Sequence, residues 1–309
     1  MESHDVVIIG GGPTGLSAAR RLADLGIKDI VVLEREAEAG GIPRHCGHQG
    51  FGWHSHHRLW AGPRFAGQLR KDCAGLDIRT GTTVLELKAG GVLRIRSSGG
   101  SDDMKARRVL IATGARETPR AARLIGGARP AGVMNTGALQ QHVYLHRHKP
   151  FEQPVIIGSE WVSFSALLTC RHLGIKPVAM IEENARVTAP KGSGLVARLA
   201  FGVPVMTATR LITIEGHSQV EGVEIERDGK RQRIACDGVV FTGQFRPENA
   251  LYMTGPIESE DQSPAIDTNF RCSGPAYFAG GNVLAPLKNS GRCCQQGVTA
   301  AEAIAASLK

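Results

Sequence analysis

The chain has seven cysteines, at positions 46, 73, 170, 236, 272, 293 and 294, and no two of them form a CxxC pair. That absence excludes the redox-active dithiol loop and the simple zinc or iron–sulfur ligand sets. Cys73, Cys170 and Cys236 lie in apolar stretches and read as buried structural thiols. The vicinal pair Cys293-Cys294 reads as two reduced thiols at a helix start rather than a strained disulfide. No run of about 20 apolar residues exists, so no segment is expected to span a bilayer. No leader is expected before the first strand, because Met1-Glu2-Ser3-His4-Asp5 runs straight into it; a cytoplasmic protein is the expectation. Charge of one sign is not concentrated either. The net +8 from 37 Lys and Arg against 29 Asp and Glu is scattered. It suits a solvated surface or a docking face for an acidic partner better than a nucleic-acid footprint.

What is present is one spacing that occurs twice. The first copy reads Val6-Val7-Ile8-Ile9-Gly10-Gly11-Gly12-Pro13-Thr14-Gly15, with Gly26 and Glu34 following. The second reads Val155-Ile156-Ile157-Gly158-Ser159-Glu160-Trp161-Val162-Ser163, with Gly174 and Glu182 at the same offsets. Both predict the strand, tight turn, helix and second strand of a dinucleotide-binding unit. In the first copy glycines stand where the backbone must turn, approach a pyrophosphate and pack helix on strand. In the second, Glu160 and Ser163 occupy the last two of those positions. A glutamate there adds bulk and negative charge where a diphosphate would sit. At about 5 Å and an effective dielectric near 20, one like-charge contact costs roughly 3 kcal/mol. The second copy is therefore a degenerate fingerprint that is expected to have lost its dinucleotide. The carboxylate is expected to take the positive end of the helix itself.

Alternating strand and helix signals over 309 residues predict an α/β protein of two Rossmann-like three-layer domains, the second inserted in the first. Expected elements are a strand at 5–9, a helix from Thr14 to Leu25, a strand at Ile30–Leu33 and a helix at Pro63–Cys73. An antiparallel hairpin is predicted at 82–88 and 92–96, broken by Gly90-Gly91 and Gly99-Gly100. A further strand runs through Arg108–Ala112, and the second unit holds strands near 209–214, 220–226 and 232–241. The last helix is placed at Cys293–Leu308. The predicted division is 1–121 with 243–309 as the FAD-binding domain, and 122–242 as the domain with the degenerate NAD(P)-type fingerprint.

These landmarks, in order, resemble the two-dinucleotide-binding-domain flavoproteins, the class of thioredoxin and glutathione reductase. Gly10, Gly12, Gly15 and Glu34 match its FAD fingerprint, Gly40-Gly41 its double glycine, and Ala112-Thr113-Gly114 its ATG strand. Gly280-Gly281-Asn282 matches the late strand whose last residue, usually Asp, touches the ribityl chain of the flavin. The resemblance covers nearly the whole chain and implies a thioredoxin-reductase-like fold with FAD. It implies cofactor contacts at Gly10, Gly12, Pro13, Thr14, Gly15, Glu34, Arg35, Gly41, Val84, Thr113, Gly114, Gly281, Asn282 and Cys294. Asn282 departs from the family pattern, keeping an acceptor oxygen while losing a charge. The helix N-terminus around Gly291–Gln296 is expected to face the flavin and favour its anionic reduced form. A Rossmann fold binding only NAD at Gly10–Glu34 is the simpler alternative.

Without a CxxC the chain does not read as a disulfide reductase. The segments Gly40–Gly52 and Gly62–Ala66 are similar to FAD subunits of multi-component amine dehydrogenases: opine oxidases, D-hydroxyproline dehydrogenases and hydrogen cyanide synthase. That resemblance implies a [2Fe–2S] protein and a second flavoprotein subunit as partners, with an amine or amino acid as substrate. Loop 44–60 holds His45, His48, His54, His56 and His57 with Cys46, Trp53 and Trp60. It repeats no zinc-site spacing, so no metal is expected, and it reads as a surface or subunit-contact loop. Cys46 and His48 are the candidates for tuning or protonating a flavin, by resemblance. Arg116, Glu117 and Arg120 are candidates for lining a cleft. A stand-alone NAD(P)H-dependent flavin reductase and a scaffold subunit with structural FAD are the competing readings.

Overall fold

Apolar strings such as Val6–Ile9 and Ile30–Leu33 suit strands covered on both faces, and every residue in them is buried in a computed structural model describing residues 1–286 and 289–309. The chain forms two compact units. One comprises 1–44, 49–116 and 245–309; the other comprises 45–48 and 117–244.

In the first unit, β1 (Glu2–Ile9) leads through a glycine turn to α1 (Pro13–Asp24) and β2 (Ile30–Leu33). There follow α2 (Gly62–Asp72), β3 (Asp77–Arg79), β4 (Thr83–Lys88), β5 (Val92–Ser97) and β6 (Gly100–Ile111). The sheet order is β3-β2-β1-β6-β5-β4. β1, β2 and β3 run parallel, and β6 is parallel to β1 but antiparallel to β5. Ile9 lies opposite Leu33 on one side and Ile111 on the other. The carboxyl ends of three parallel strands are thus level at the glycine turn, the place where open α/β sheets bind ligands. The sequence reading split 92–112 at Gly99-Gly100. The structure instead turns tightly there, with Ser97 opposite Gly100, and continues as one twelve-residue strand.

In the second unit, β7 (Val133–Asn135) and β8 (Pro154–Ile157) precede α3 (Trp161–His172), β9 (Ala179–Ile181), α4 (Ser193–Phe201) and β10 (Val205–Met206). A meander follows: β11 (Thr209–Glu215), β12 (Gly222–Arg227) and β13 (Lys230–Ala235), and then β14 (Gly238–Phe241). The parallel sheet runs β7-β14-β8-β9-β10. The expected single strand 232–241 is in fact two strands in different sheets. The break is at Asp237, whose carboxylate accepts the backbone N–H groups of Glu152 at 2.6 Å and Gln153 at 2.7 Å.

The chain then returns to the first unit with β15 (Tyr277–Ala279), parallel to β6, and α5 (Ser290–Leu308). α5 begins three residues before the expected Cys293, because Asn289 caps it by accepting the Arg292 N–H at 2.9 Å. α1 and α5 cover one face of the sheet, where Leu22 packs with Ile8, Leu110 and Ile304, all fully buried. Among the described residues no helix is long and apolar enough to cross a membrane.

Leu22→Ala removes a fully buried side chain from this layer. Urea unfolding should show about 2–5 kcal/mol of lost stability; a loss under about half a kilocalorie would show that the α1–sheet contact is not built as described.

Candidate functional site

The turn after β1 is made by absences. Gly10 has φ +108°, and a Cβ on it would lie 2.5 Å from the Ala112 carbonyl oxygen. A Cβ on Gly15 would lie 1.9 Å from the Gly10 carbonyl oxygen. The helix can start this close to the turn only with glycine at both positions. At Gly12 the opposite holds: an added Cβ meets nothing but the Gly41 Cα, at 3.8 Å. That space adjoins the N-terminus of α1, which carries Pro13 in its first turn and no side-chain cap. A bare helix N-terminus beside open space is an anion site.

The surrounding pieces close on this turn within the first unit. The Gly40 N–H donates to the Gly11 carbonyl at 2.6 Å, and Gly41, at φ +63°, has its Cβ position 2.9 Å from the Gly12 Cα. Glu34 is buried at the end of β2 and accepts the N–H groups of Gly11 and Glu36, each at 2.9 Å. Thr14 lies under Gly281 and Gly297, where Cβ atoms would come within 2.2 Å of its Oγ1 and its carbonyl oxygen. The Gly281 N–H donates to Gln296 Oε1 at 3.0 Å, and Asn282 follows, half-buried, in a 3₁₀ turn. Gly114 has φ +77° and its carbonyl accepts the Glu248 N–H at 2.9 Å; Thr113 Oγ1 donates to the Glu248 carbonyl at 3.2 Å.

Some expected positions sit differently. Arg35 is exposed, 3.7 Å from Glu36 and 4.0 Å from Glu248. Val84 is half-buried on β4 opposite Ile95. Cys294 is the fifth residue of α5 and packs with Leu16, Phe65 and Cys73, where burial pushes its thiol up to about 11. The first turn of α5 includes Arg292, whose N–H is already held by Asn289. Cys46 belongs to the second unit, donates to Gln140 Oε1 at 3.3 Å and is pushed up to about 12 by burial. His48 belongs to the same unit and is half-buried. Glu117 is buried, with one oxygen taken by the Gly137 N–H and the other by the Gly243 N–H; burial raises its pKa. Arg120 spends its guanidinium on the carbonyls of Ile125 and Ala128, and Arg116 is exposed beside Glu248. Sequence reasoning missed Glu248, Gln296 and Gly297. Only Gly297, a lone glycine in an Ala-rich helix, carried a signal.

The second turn copies the backbone of the first and fills it. Gly158 has φ +118°, and its N–H donates to Ile181 at 2.8 Å, as Gly10 does to Leu33. Glu160 folds its carboxylate back over this turn. Oε2 lies 3.0 Å from the hydroxyls of both Ser163 and Thr242, which are 2.7 Å apart. Cβ positions at Gly158 and Gly243 would lie 2.6 and 2.3 Å from its oxygens. The carboxylate does not cap the backbone of α3, as the sequence reading expected; its partners are two hydroxyls. Arg123 donates to the carbonyls of Thr242 at 2.9 Å and Gly243 at 3.0 Å. Burial lowers its pKa against the opposing pull of Glu117 and Glu160. That cation offsets part of the Glu160 charge, so bulk does more than repulsion to close the turn. Glu182 accepts from Ser159 Oγ, Asn184 N at 2.8 Å, Asn184 Nδ2 at 2.7 Å and Thr188 Oγ1 at 3.1 Å.

A fold with one open, uncapped glycine turn at the carboxyl edge of a parallel sheet defines a dinucleotide-binding oxidoreductase. Residues 4–304 match the pyridine nucleotide-disulphide oxidoreductase family, and the chain belongs to it. It is an FAD-dependent oxidoreductase. The A chain type of opine oxidase from Rhizobium meliloti (strain 1021) is 28% identical over 188 residues, which are 60% of this chain and 40% of that protein. The alpha-type component of sarcosine oxidase from the same organism is 22% identical over 278 residues, 79% of this chain and 24% of that protein. The chain thus spans less than half the length of these two relatives. The fold is that of T. acidophilum thioredoxin reductase (TM-score 0.80, 21% identity, 99% of each chain). L-proline dehydrogenase from P. horikoshii superposes with TM-score 0.75 at 19% identity over 97% of this chain and 54% of its own.

Gly15→Ala should cut the FAD content of the purified protein at least tenfold, because the Cβ would sit 1.9 Å from a carbonyl oxygen. Absorbance near 450 nm per chain reads this, and full retention of flavin would contradict the geometry. All seven cysteines are buried and no disulfide links any of them. Cys46, Cys170 and Cys272 are pushed to about 12, and Cys73, Cys236 and Cys294 to about 11. At pH 8 these six groups are protonated, so a disulfide reagent such as DTNB should titrate them only after unfolding. Rapid native reaction would place at least one of the six at an exposed, activated site.

Proposed function

We propose that this chain is the FAD subunit of a multi-component dehydrogenase that oxidises an amino acid, opine or related amine and passes the electrons to a partner. The observation that carries the reading is the contrast between two turns of one design: open space at Gly12, and a carboxylate folded over Gly158. A self-sufficient NAD(P)H-dependent reductase needs both sites open. The relatives are named as subunits of opine oxidase and sarcosine oxidase, which supports an amine substrate and a multi-subunit assembly. The domain roles follow: 1–121 with 243–309 hold FAD, and 122–242 no longer serve a nicotinamide cofactor. The partners fitting this role are a [2Fe–2S] protein and a second flavoprotein subunit.

The residues present fit FAD at the first turn. The backbone around Gly12, Pro13, Thr14 and Gly15 would hold the diphosphate, with Gly41 flanking it, and Glu34 would accept ribose hydroxyls. Thr113, Gly114, Gly281 and Asn282 would bound the remainder. When bound, FAD supplies a two-electron acceptor. The chain's own contribution is positioning: Glu34 is fixed by two backbone N–H groups, and Gly281 is tied to α5 through Gln296. In the second unit, Glu160 and its hydroxyl partners exclude a second diphosphate.

Anaerobic addition of NADH or NADPH should leave the flavin absorbance near 450 nm unchanged over minutes. Glu160→Gly should raise dinucleotide affinity roughly tenfold to a hundredfold, since one like-charge contact at this range is worth roughly 3 kcal/mol before the Arg123 offset. Rapid reduction of the wild-type chain by either nucleotide would overturn the proposal in favour of a stand-alone reductase.

A further inference from the structure

The helix α4 presents its apolar side chains outward. Its sequence, Ser193-Gly194-Leu195-Val196-Ala197-Arg198-Leu199-Ala200-Phe201, would read as a core helix. In the structure only Ala197 is fully buried, while Leu195, Val196 and Leu199 are 60%, 50% and 75% exposed. Positions 195 and 199 are one turn apart, so they form a ridge with Val196 beside it. Trp161, 69% exposed at the start of α3, extends the apolar surface. Its ring meets Phe164 edge to face, and Phe164 shares a core cluster with Ala189 and Ala197 beneath α4. A helix formed by Leu, Val and Leu and anchored by one alanine is not explained by the stability of this unit. Exposed large apolar groups gathered in one place mark a contact surface.

Cations surround this surface. Over residues 183–202 there are three, Arg186, Lys191 and Arg198, against the single acid Glu183, and all four are exposed. Arg171 adds a fourth cation beside α4, with its guanidinium 4.8 Å from the Phe201 ring centroid. Among the described residues none of these four cations makes an ion pair. An apolar centre with an uncompensated charged rim is the anatomy of a protein interface. A second copy of this chain would bring the same positive rim against itself, which like-charge repulsion opposes.

We propose that α4 and Trp161 form the docking face for a partner polypeptide of the dehydrogenase, one whose contact surface is an apolar patch rimmed by Asp and Glu. This rests on the subunit reading above and names the surface through which it would be realised. Leu195, Leu199 and Trp161 supply the desolvated centre, and Arg171, Arg186, Lys191 and Arg198 supply steering and register. The degenerate nucleotide turn is compatible with this use, because Thr188 and Ala189, in the segment that leads into α4, are pinned by their N–H groups to Ser159 in that turn.

The test uses the tagged full-length chain recovered with its bound subunits from its own cells at low ionic strength. Hydrogen exchange is then compared between that complex and the chain stripped of partners by high salt. Residues 193–201 should exchange roughly tenfold more slowly in the complex, and Leu195→Glu/Leu199→Glu should lower co-purified partner per chain roughly tenfold. That variant should keep the FAD content and thermal midpoint of the wild type, since both side chains are exposed. Lys191→Glu/Arg198→Glu should weaken the complex most at low salt. A stable complex in which 193–201 stays unprotected, and from which the double glutamate variant loses nothing, overturns this inference and leaves the subunit reading standing. A chain that never carries a partner overturns both. Sedimentation of the stripped chain as a dimer, or on vesicles of phosphatidylcholine and phosphatidylserine, sensitive to the same variants, would assign the surface elsewhere and overturn the proposal.

Discussion

Everything at the first turn depends on one close approach, that of the helix α1 to the carbonyl of Gly10. No residue with a Cβ can stand at position 15, because that atom would lie 1.9 Å from the Gly10 oxygen. The approach brings the uncapped helix N-terminus to the level ends of β1, β2 and β6. It also sets Thr14 where the backbone of α5 can cross it at Gly297 and the loop after β15 can touch it at Gly281. Each contact is a glycine with a conformational cost in the unfolded chain. Together they surround a space beside Gly12 that the protein itself leaves open. Glycines packed this densely around an opening are hard to explain by packing alone, and simple to explain by a bound diphosphate.

The second turn shows what happens when the same approach is given up. Ser163 carries a Cβ where Gly15 carries none, and its hydroxyl bonds to Thr242 instead of leaving the helix to slide onto the turn. Once the helix need not pack so close, Glu160 can occupy the vacated cradle, with two hydroxyls as donors and Arg123 partly balancing its charge. Losing the glycine and gaining the carboxylate are then one structural change. The backbone outline survives, because Gly158 keeps its positive φ and its bond to Ile181.

The sequence made the glycine turns, the strand edges around them and the Rossmann-like architecture legible, since each rests on a local rule: a positive φ, a missing Cβ, an apolar run. It misplaced features decided by distant partners. The break at Asp237 exists because Glu152 and Gln153, far away in sequence, donate to its carboxylate. The start of α5 is set by Asn289, which the flanking glycine and the polar run disguise as loop. Glu248 has no motif at all; it matters because Arg35, Arg116 and the Gly114 turn converge on it. The exposed face of α4 was the least legible, because apolar periodicity says which residues share a side of a helix and not whether that side is covered.

The two acids that end β2 and β9 carry the asymmetry one step further. An ionised carboxylate offers about four acceptor sites. Glu34 gives two of them to backbone N–H groups, which fix its position and leave the others for hydroxyls from outside the chain. Glu182, at the corresponding offset, takes four donors from Ser159, Asn184 and Thr188, and so has no capacity left. Ser159 is central, because it stands where the first turn has Gly11 and supplies a hydroxyl where that glycine supplies only its N–H. A residue of the right type at the right spacing has thus become an internal hydrogen-bond hub. Donor count, which sequence spacing does not record, is what separates a carboxylate that can receive a ribose from one that only holds its own loop.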